Sequence, residues 1–427
     1  MTLLIVLLNS IVVWLNRGLY DPSVPVLTAL FLTWAYLVFT NRDPFKPALQ
    51  FLFLLPWVWA ILFIFKNDLL YVSDAKKEAL SLLRFFPLMS LIIYTVDQKV
   101  YGSHPRSIRS LPFFFILLVL VPFLSPEPHI DVFQSNRMAV DFFLHGINPY
   151  SATYPDIYQN QYDYHPGFLY WPGALILQTL SQLLFHDIRF VIIVSWISAA
   201  FFLKTRKNFF LAWLTIPFLP FAFEQAWLDP LLALGAALTL YGLRTKKMTI
   251  WILGAVLAAT VKQYGFMIGL FSILYFTQTE GFPKSRKPFL LMAGWFTLIL
   301  GPFIFWDPKA FFTRSFLTHT GAGIRPDSLN FTAFWLRMTG QALDSKLQLG
   351  FILLGFSISV FHLIQNHKKR GLRSVPEAWA IFFGFSIFFG KFAFCNYYLL
   401  LISFWLLAES EGDEPAPPKK KAHLRLV

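Results

Sequence analysis

The sequence holds a single cysteine, Cys395, in 427 residues, which excludes an intrachain disulfide and any multi-cysteine metal site. Charge is scarce: Asp, Glu, Lys and Arg make up 14% of the chain, against about a quarter in a soluble globular domain. No internal repeat is visible, which speaks against the repeat-built secondary transporters. The first residues lack a basic n-region and a small-residue cleavage site, so they are expected to form a first span and not a cleaved signal.

What the sequence does have is apolar surface. Hydrophobic residues make up 56% and aromatic residues 19%, with a mean hydropathy of +0.56. The apolar runs are mostly roughly 13 to 20 residues long between charged or Pro/Gly breaks, as spanning helices require. A membrane barrel would alternate over short segments instead. The expected fold class is an all-α, polytopic integral membrane bundle of about 14 spans. The net charge of +13 sits in short clusters between apolar runs and reads as topology, not as a nucleic-acid face.

Spans are expected near 3–15, 24–40, 49–65, 79–96 and 111–124, with the basic stretch Lys99, Arg106, Arg109 cytoplasmic. The positive-inside rule then puts the polar interval 125–187 outside. The run 168–185 carries Gln178, Ser181 and Gln182 as one polar stripe, the mark of a helix lying in the interface. Further spans follow near 188–203, 209–221 and 231–243, and a stretch 250–276 broken at 261–265. Beyond these lie 289–305, 349–364, 378–390 and 392–408, with a second outer loop over 306–347. Three parts are expected: N-terminal membrane helices (1–110), a membrane domain (111–408), and a charged, Pro-containing tail (409–427) read as disordered and cytoplasmic.

The first outer loop carries the main chemical candidate. Asp131 heads an expected helix over 132–145 that stops at Gly146. With Gln134 it forms a capping box; a carboxylate under aromatic cover at a membrane surface is equally the place for a general base with a raised pKa. Ser135 shares its helix face. Asp141, ten residues on, lies about 80° away around the helix, so it reads as a structural or acceptor-orienting residue. Asp141 with His145 could also supply two metal ligands or form a surface contact, but no Asp-x-Asp pair or cysteine cluster accompanies them, and no metal or cofactor is expected.

Lys262 interrupts an apolar run at the 261–265 break, which marks it as a functional candidate against the alternative of a snorkelling lysine. Arg325 either clamps a phosphate or pairs with Asp327. His319 either orients a phosphate oxygen or is solvated. Lys391 is either a second cation for a donor or an interfacial anchor.

The order of an apolar span, Asp131, the Gly146-x-Asn-Pro149-Tyr150 motif, Tyr-x-Pro and a tryptophan-bearing interfacial helix resembles the first outer loop of the GT-C superfamily, membrane glycosyltransferases with polyprenyl-phosphate sugar donors. The branch resembled is the mannosyltransferase and arabinofuranosyltransferase-like one. Ser135 stands where an aromatic residue is frequent, and Tyr164-His165-Pro166 fits a further loop segment loosely. Glu224-Gln225 with Asp229-Pro230 resembles the family's short outer turn, and Lys262-Gln263-Tyr264 its Lys-Gln/Pro-Tyr break. The segment from Trp306 through His319 to Arg325, Asp327 and Asn330 resembles the second outer loop, and Phe394 to Tyr398, including Tyr397, the last outer turn.

The resemblance implies a bacterial cytoplasmic-membrane enzyme with its active site on the extracytoplasmic face. It would transfer a hexose or pentose from a polyprenyl-phosphate donor to a glycan, lipid or protein acceptor, inverting and independent of metal. Asp131 would be the base. Lys262, Arg325, His319 and Lys391 would lie around the donor phosphate. Asp141, Ser135, Tyr150, His165, Glu224, Gln225, Gln263, Tyr264, Asp327 and Tyr397 would line the acceptor side or the cavity. The rival readings are a transporter or lipid-glycan flippase, and a non-catalytic membrane scaffold.

Overall fold

The computed structural model describes residues 2–42, 49–65, 69–101, 111–159, 166–203 and 207–412. The regular elements among these residues are all helices, with no strand among them. The N-terminal third supplies α1 (Thr2–Asn16), α2 (Val24–Phe39), α3 (Leu49–Phe65), α4 (Asp74–Leu83), α5 (Phe86–Tyr101) and α6 (Leu111–Leu124). The middle supplies α7 (Asp131–Leu144), α8 (Pro172–Phe185), α9 (Phe190–Phe202), α10 (Lys207–Leu214), α11 (Leu219–Glu224), α12 (Asp229–Thr245), α13 (Met248–Val261), α14 (Phe266–Glu280) and α15 (Phe282–Trp306). The last third supplies α16 (Pro308–Phe312), α17 (Thr318–Gly321), α18 (Phe331–Thr339), α19 (Ser345–Arg370), α20 (Ser374–Phe389) and α21 (Cys395–Glu411).

Three stretches, 74–96, 282–306 and 345–389, are long and apolar enough to cross a membrane, and a fourth if the bent pair α8 and α9 counts as one. Shorter apolar helices accompany them. The structure therefore supports several membrane-crossing helices and not the full expected set of about 14. The chain breaks where its sequence breaks helices. Arg84 and Phe85 form a two-residue turn within the stretch 74–96, between α4 and α5, and a turn containing Pro217 divides 209–221 into α10 and α11. Conversely, the stretch 345–389 reverses at Gly371, where φ is +56°. Gly355 meets Phe385, and His362 meets Glu377 at 3.0 Å, so α19 and α20 are an antiparallel hairpin.

Small residues let the central helices touch. A Cβ on Gly254 of α13 would stand 2.5 Å from the Gly235 carbonyl of α12, and one on Gly242 2.3 Å from the Trp251 nitrogen. Close backbone approach of this kind is how helices gain packing where surrounding lipid removes the hydrophobic drive. The antiparallel pairs put the helix ends into two layers. One layer holds the α1–α2 turn, the loop before α4, α7, the Glu224 turn and residues 306–344; the other holds Asn41, Arg244, Arg370, Arg373, Glu377, Glu409 and Glu411.

In that second layer Arg370 and Arg373 both reach Glu377, at 2.7 and 2.9 Å, Arg373 also reaches Glu409 at 2.8 Å, and Arg244 reaches Glu411 at 2.5 Å. Arg370 and Arg373, in the basic run after α19, are buried members of an ion network. One expectation changes here. The tail begins later than Glu409, because α21 runs to Glu411 with both glutamates buried in that network. Residues 413–427 lie outside the described residues, as do Arg106 and Arg109.

The α8 stripe also turns out differently. Gln178 and Ser181 face the protein and are buried, while Leu180, Leu183, Leu184 and Phe185 are exposed. Ser181 is held inside by its bonds to the Asp187 carbonyl (2.6 Å) and the Val191 amide (3.1 Å). The helix makes a 105° bend with α9, and its apolar side faces outward. Polar groups point in because the protein is the more polar of its two neighbours when the other is lipid.

The layer assignment predicts labelling. Gln159 and Lys246 are exposed at opposite ends and Cys395 is buried. In intact cells Gln159→Cys should react with an impermeant maleimide while Lys246→Cys reacts only after permeabilisation; the reverse pattern would invert the topology.

Candidate functional site

Asp131 is the first helical residue of α7, with Ile130 at the N-cap. The expected capping box is not formed. Gln134 donates instead to the Pro128 carbonyl at 3.2 Å, and one Asp131 oxygen accepts from the Val132 amide at 2.9 Å. The Tyr158 hydroxyl donates to the same oxygen at 3.4 Å and accepts from the Asp131 amide at 3.2 Å. Burial raises the Asp131 pKa above the ordinary aspartate value, against the pull of these bonds and of the nearby Arg325 charge.

Lys262 sits at the break expected from sequence. α13 ends at Val261, Lys262 is extended, and Gln263–Gly265 form a 3₁₀ turn into α14. Gly265 is required there, since a Cβ would lie 2.0 Å from the Ala258 carbonyl. α13 has 14 residues, about 21 Å of helix, too short for a hydrocarbon core of about 30 Å. The break is covered by the segments holding Leu169 to Trp171 and Ser315. Trp171 donates to the Val261 carbonyl at 3.1 Å. Gln263 joins both loops by donating to the Leu169 and Ser315 carbonyls, each at 2.7 Å.

At this break Lys262 is buried and paired. Its ammonium is 2.7 Å from Asp229, which also accepts from Asn396 at 2.9 Å and from the Tyr264 hydroxyl at 2.9 Å. Three phenol rings, Tyr170, Tyr264 and Tyr397, stand 5.4 to 5.6 Å from the ammonium, within cation–π range. The snorkelling alternative is therefore set aside. So is the picture of Lys262 as a free cation, because Asp229 cancels its charge.

Asp229 and Asn396 belong to matched turns but are more central than the sequence alone suggested. The signal for Asp229 was available: a buried intramembrane lysine needs an anionic partner, and Asp229 is the acid at the head of α12.

The expected residues do converge. Asp131 and Arg325 feel each other's charge, and Asp131, Asp229 and Tyr397 all act on the Tyr170 phenol, which burial lifts well above its ordinary range. His319 is lowered below the usual histidine value by burial and by Lys262, partly offset by its bond to Leu169. It is half-buried, not simply solvated. Arg325 is bidentate to Asp327 at 2.8 and 2.6 Å and stacks over Phe394. Lys391 donates to the Thr320 and Ala322 carbonyls at 2.6 and 2.8 Å, holding the end of α17. The α1–α2 turn packs against this region: the Tyr20 amide donates to the Asp327 carbonyl at 2.9 Å, and Gly18 (φ +75°) leaves no room for a Cβ against Cys395.

Other candidates stand apart. Asp141 and His145 are an exposed pair at 3.6 Å, with no third His, Cys, Asp or Glu joining them among the described residues. Glu224 fixes the loop before α4 by accepting from the Leu70 and Tyr71 amides at 2.8 Å each. Gln225 is buried beside it, and Ser135 is half-buried on α7. Tyr150 is buried in an aromatic cluster with Phe168 and Phe311, and its hydroxyl donates to the Tyr170 carbonyl at 2.8 Å. His165 lies outside the described residues.

Fold and composition define an all-helical protein with several helices apolar enough for a membrane. No family model, curated protein or solved structure matches the chain.

Proposed function

We propose that the chain is a membrane glycosyltransferase that moves a hexose or pentose from a polyprenyl-phosphate donor to a glycan, lipid or protein acceptor. Its site would face the extracytoplasmic side of a cytoplasmic membrane. The observation that carries the reading is the meeting of Asp131, its pKa raised, with Arg325, His319, Tyr170 and the Lys262–Asp229 pair from five separate segments of the bundle. In the reaction, Asp131 takes the proton of an acceptor hydroxyl, that oxygen bonds the anomeric carbon with inversion, and the bond to the phosphate oxygen breaks to release polyprenyl phosphate. Asp229 and Asp327 neutralise Lys262 and Arg325, so these two residues shape the site and orient donors of hydrogen bonds more than they supply net positive charge.

The experiment is transfer by purified protein from a polyprenyl-phosphate hexose and a polyprenyl-phosphate pentose to membrane extract, in EDTA. Labelled product in either arm supports the reading. No product with any donor, with or without Mn²⁺, sinks it.

A transporter or flippase is favoured by one feature, the buried Lys262–Asp229 pair, since ionisable pairs inside membranes mark ion and substrate paths. Uptake or lipid scrambling by proteoliposomes, abolished by Lys262→Met, would select that alternative.

A further inference from the structure

Where α15 leaves the membrane, the chain builds a second concave site. α15 begins beside Lys284, Arg286 and Lys287 and ends at Trp306, so positive-inside placement puts Trp306 at the outer headgroup level. The next residues, Asp307 through Thr318, wall an open cleft of about 520 Å³ together with the Tyr150 and Ser151 turn. Its polar lining is Ser151, Asp307, Lys309, Thr313 and Arg314. Asp307 is engaged in capping α16 through the Ala310 amide at 2.9 Å. Two cations face one acid, so the cleft favours an anion.

Both cations are placed for a ligand. Residues 313–317 form a π-helical turn, a widened turn found often at functional sites. Arg314 lies in that turn. It spends one donor on the Pro166 carbonyl, at 2.9 Å, and stacks closely on Gly167, where a Cβ would stand 2.9 Å from its guanidinium. That contact fixes the guanidinium and, among the described residues, leaves the remainder of its five donors for another partner. Lys309 is exposed and has no ion pair with a described residue.

Beside the cleft, Phe305, Trp306, Phe312, Phe316 and Leu317 are exposed, Phe305 at 86%. A cationic cleft at headgroup depth with an apolar strip at its lip matches a phosphate joined to a hydrocarbon tail.

We infer that this cleft binds the phosphate of a membrane lipid, through Arg314 and Lys309, with the tail lying along the Phe305–Phe316 strip. The inference rests on the membrane placement and not on glycosyl transfer. Two sources share the chemistry, a bilayer phospholipid and a polyprenyl phosphate. The second would place a lipid phosphate one residue from the site already described, because Tyr150 lines the cleft and bonds Tyr170.

The test is native mass spectrometry of the delipidated full chain titrated with phosphatidylglycerol, undecaprenyl phosphate and diacylglycerol. Both phosphate lipids, or one, should bind; diacylglycerol should not. Lys309→Gln and Arg314→Gln should each weaken phosphate-lipid binding about tenfold. The Lys309 side chain makes no bond to a described residue, so its variant reads binding without a folding defect, and Arg314→Lys should retain part of the affinity. Preference for undecaprenyl phosphate assigns the cleft to a polyprenyl lipid, and equal binding assigns it to lipid phosphate in general. Binding of diacylglycerol as tightly as the phosphate lipids, or unchanged binding by Lys309→Gln and Arg314→Gln, overturns the inference. Glycosyl transfer assayed on the same preparations is read separately: its absence with phosphate binding intact removes the enzyme reading alone.

Discussion

Asp131→Asn is expected to lower glycosyl transfer by about 10²- to 10⁴-fold, the usual contribution of a positioned general base. The substitution keeps the size of the side chain, and the bonds from Val132 and Tyr158 go to a single oxygen that an amide can supply. Stability moves the other way. The carboxyl has a folded pKa raised by burial, so the fold holds its proton more tightly than the unfolded chain does. Above the unfolded value the ionised group therefore destabilises the fold, and the penalty fades as pH falls through that range. Asparagine removes the penalty at neutral pH, so the variant should melt at the same temperature as the parent or higher while losing activity.

In the parent, transfer should decline on the acid side at a pH above the ordinary aspartate value of 3.8, because the base must be unprotonated to work. Transfer rate and melting temperature of detergent-purified protein check both statements. Full activity in Asp131→Asn removes it as the base, and a lower melting temperature shows that the carboxylate has a structural duty.

The second large effect is expected at the Lys262–Asp229 pair. Both side chains are buried, at 4% and 0% exposure, so removing one partner leaves a lone charge in a low-dielectric interior. Breaking a buried pair costs about 3–5 kcal/mol, whereas replacing both partners with uncharged groups is often close to neutral. Lys262→Met and Asp229→Asn should each lower the yield of monodisperse protein and its melting temperature. The double variant should recover most of the loss. Asp229→Asn carries an added cost, since Tyr264 and Asn396 also donate to that carboxylate. A double variant as unstable as the sum of the singles would mean that the two charges do not depend on each other, and that Lys262 is neutralised from elsewhere.

Much of the plan was legible in the chain. Apolar runs and basic clusters gave the helical class and most helix positions, and the Lys262 interruption marked the helix break to the residue. The polar segments carrying Asp131, His319 and Arg325 were likewise visible, because polar residues among long apolar runs must leave the lipid or find partners. Other features followed a local rule that the fold overrode. Asp131 and Gln134 have capping-box spacing, but the Pro128 carbonyl took Gln134. The stripe on α8 is amphipathic, but which side faces protein depends on what packs there.

The sequence by itself determined that this is a helical, membrane-suited chain with its polar intervals set between long apolar runs, since hydropathy and charge act locally along the chain. Only the tertiary structure decided who neutralises whom. Lys262 and Asp229 lie 33 residues apart, Arg373 and Glu409 lie 36 apart, and Glu224 meets residues more than 150 positions away. Pairing over such separations follows from helix packing. A charge buried by that packing takes whichever opposite charge the neighbouring helix brings within reach, a choice no local pattern records.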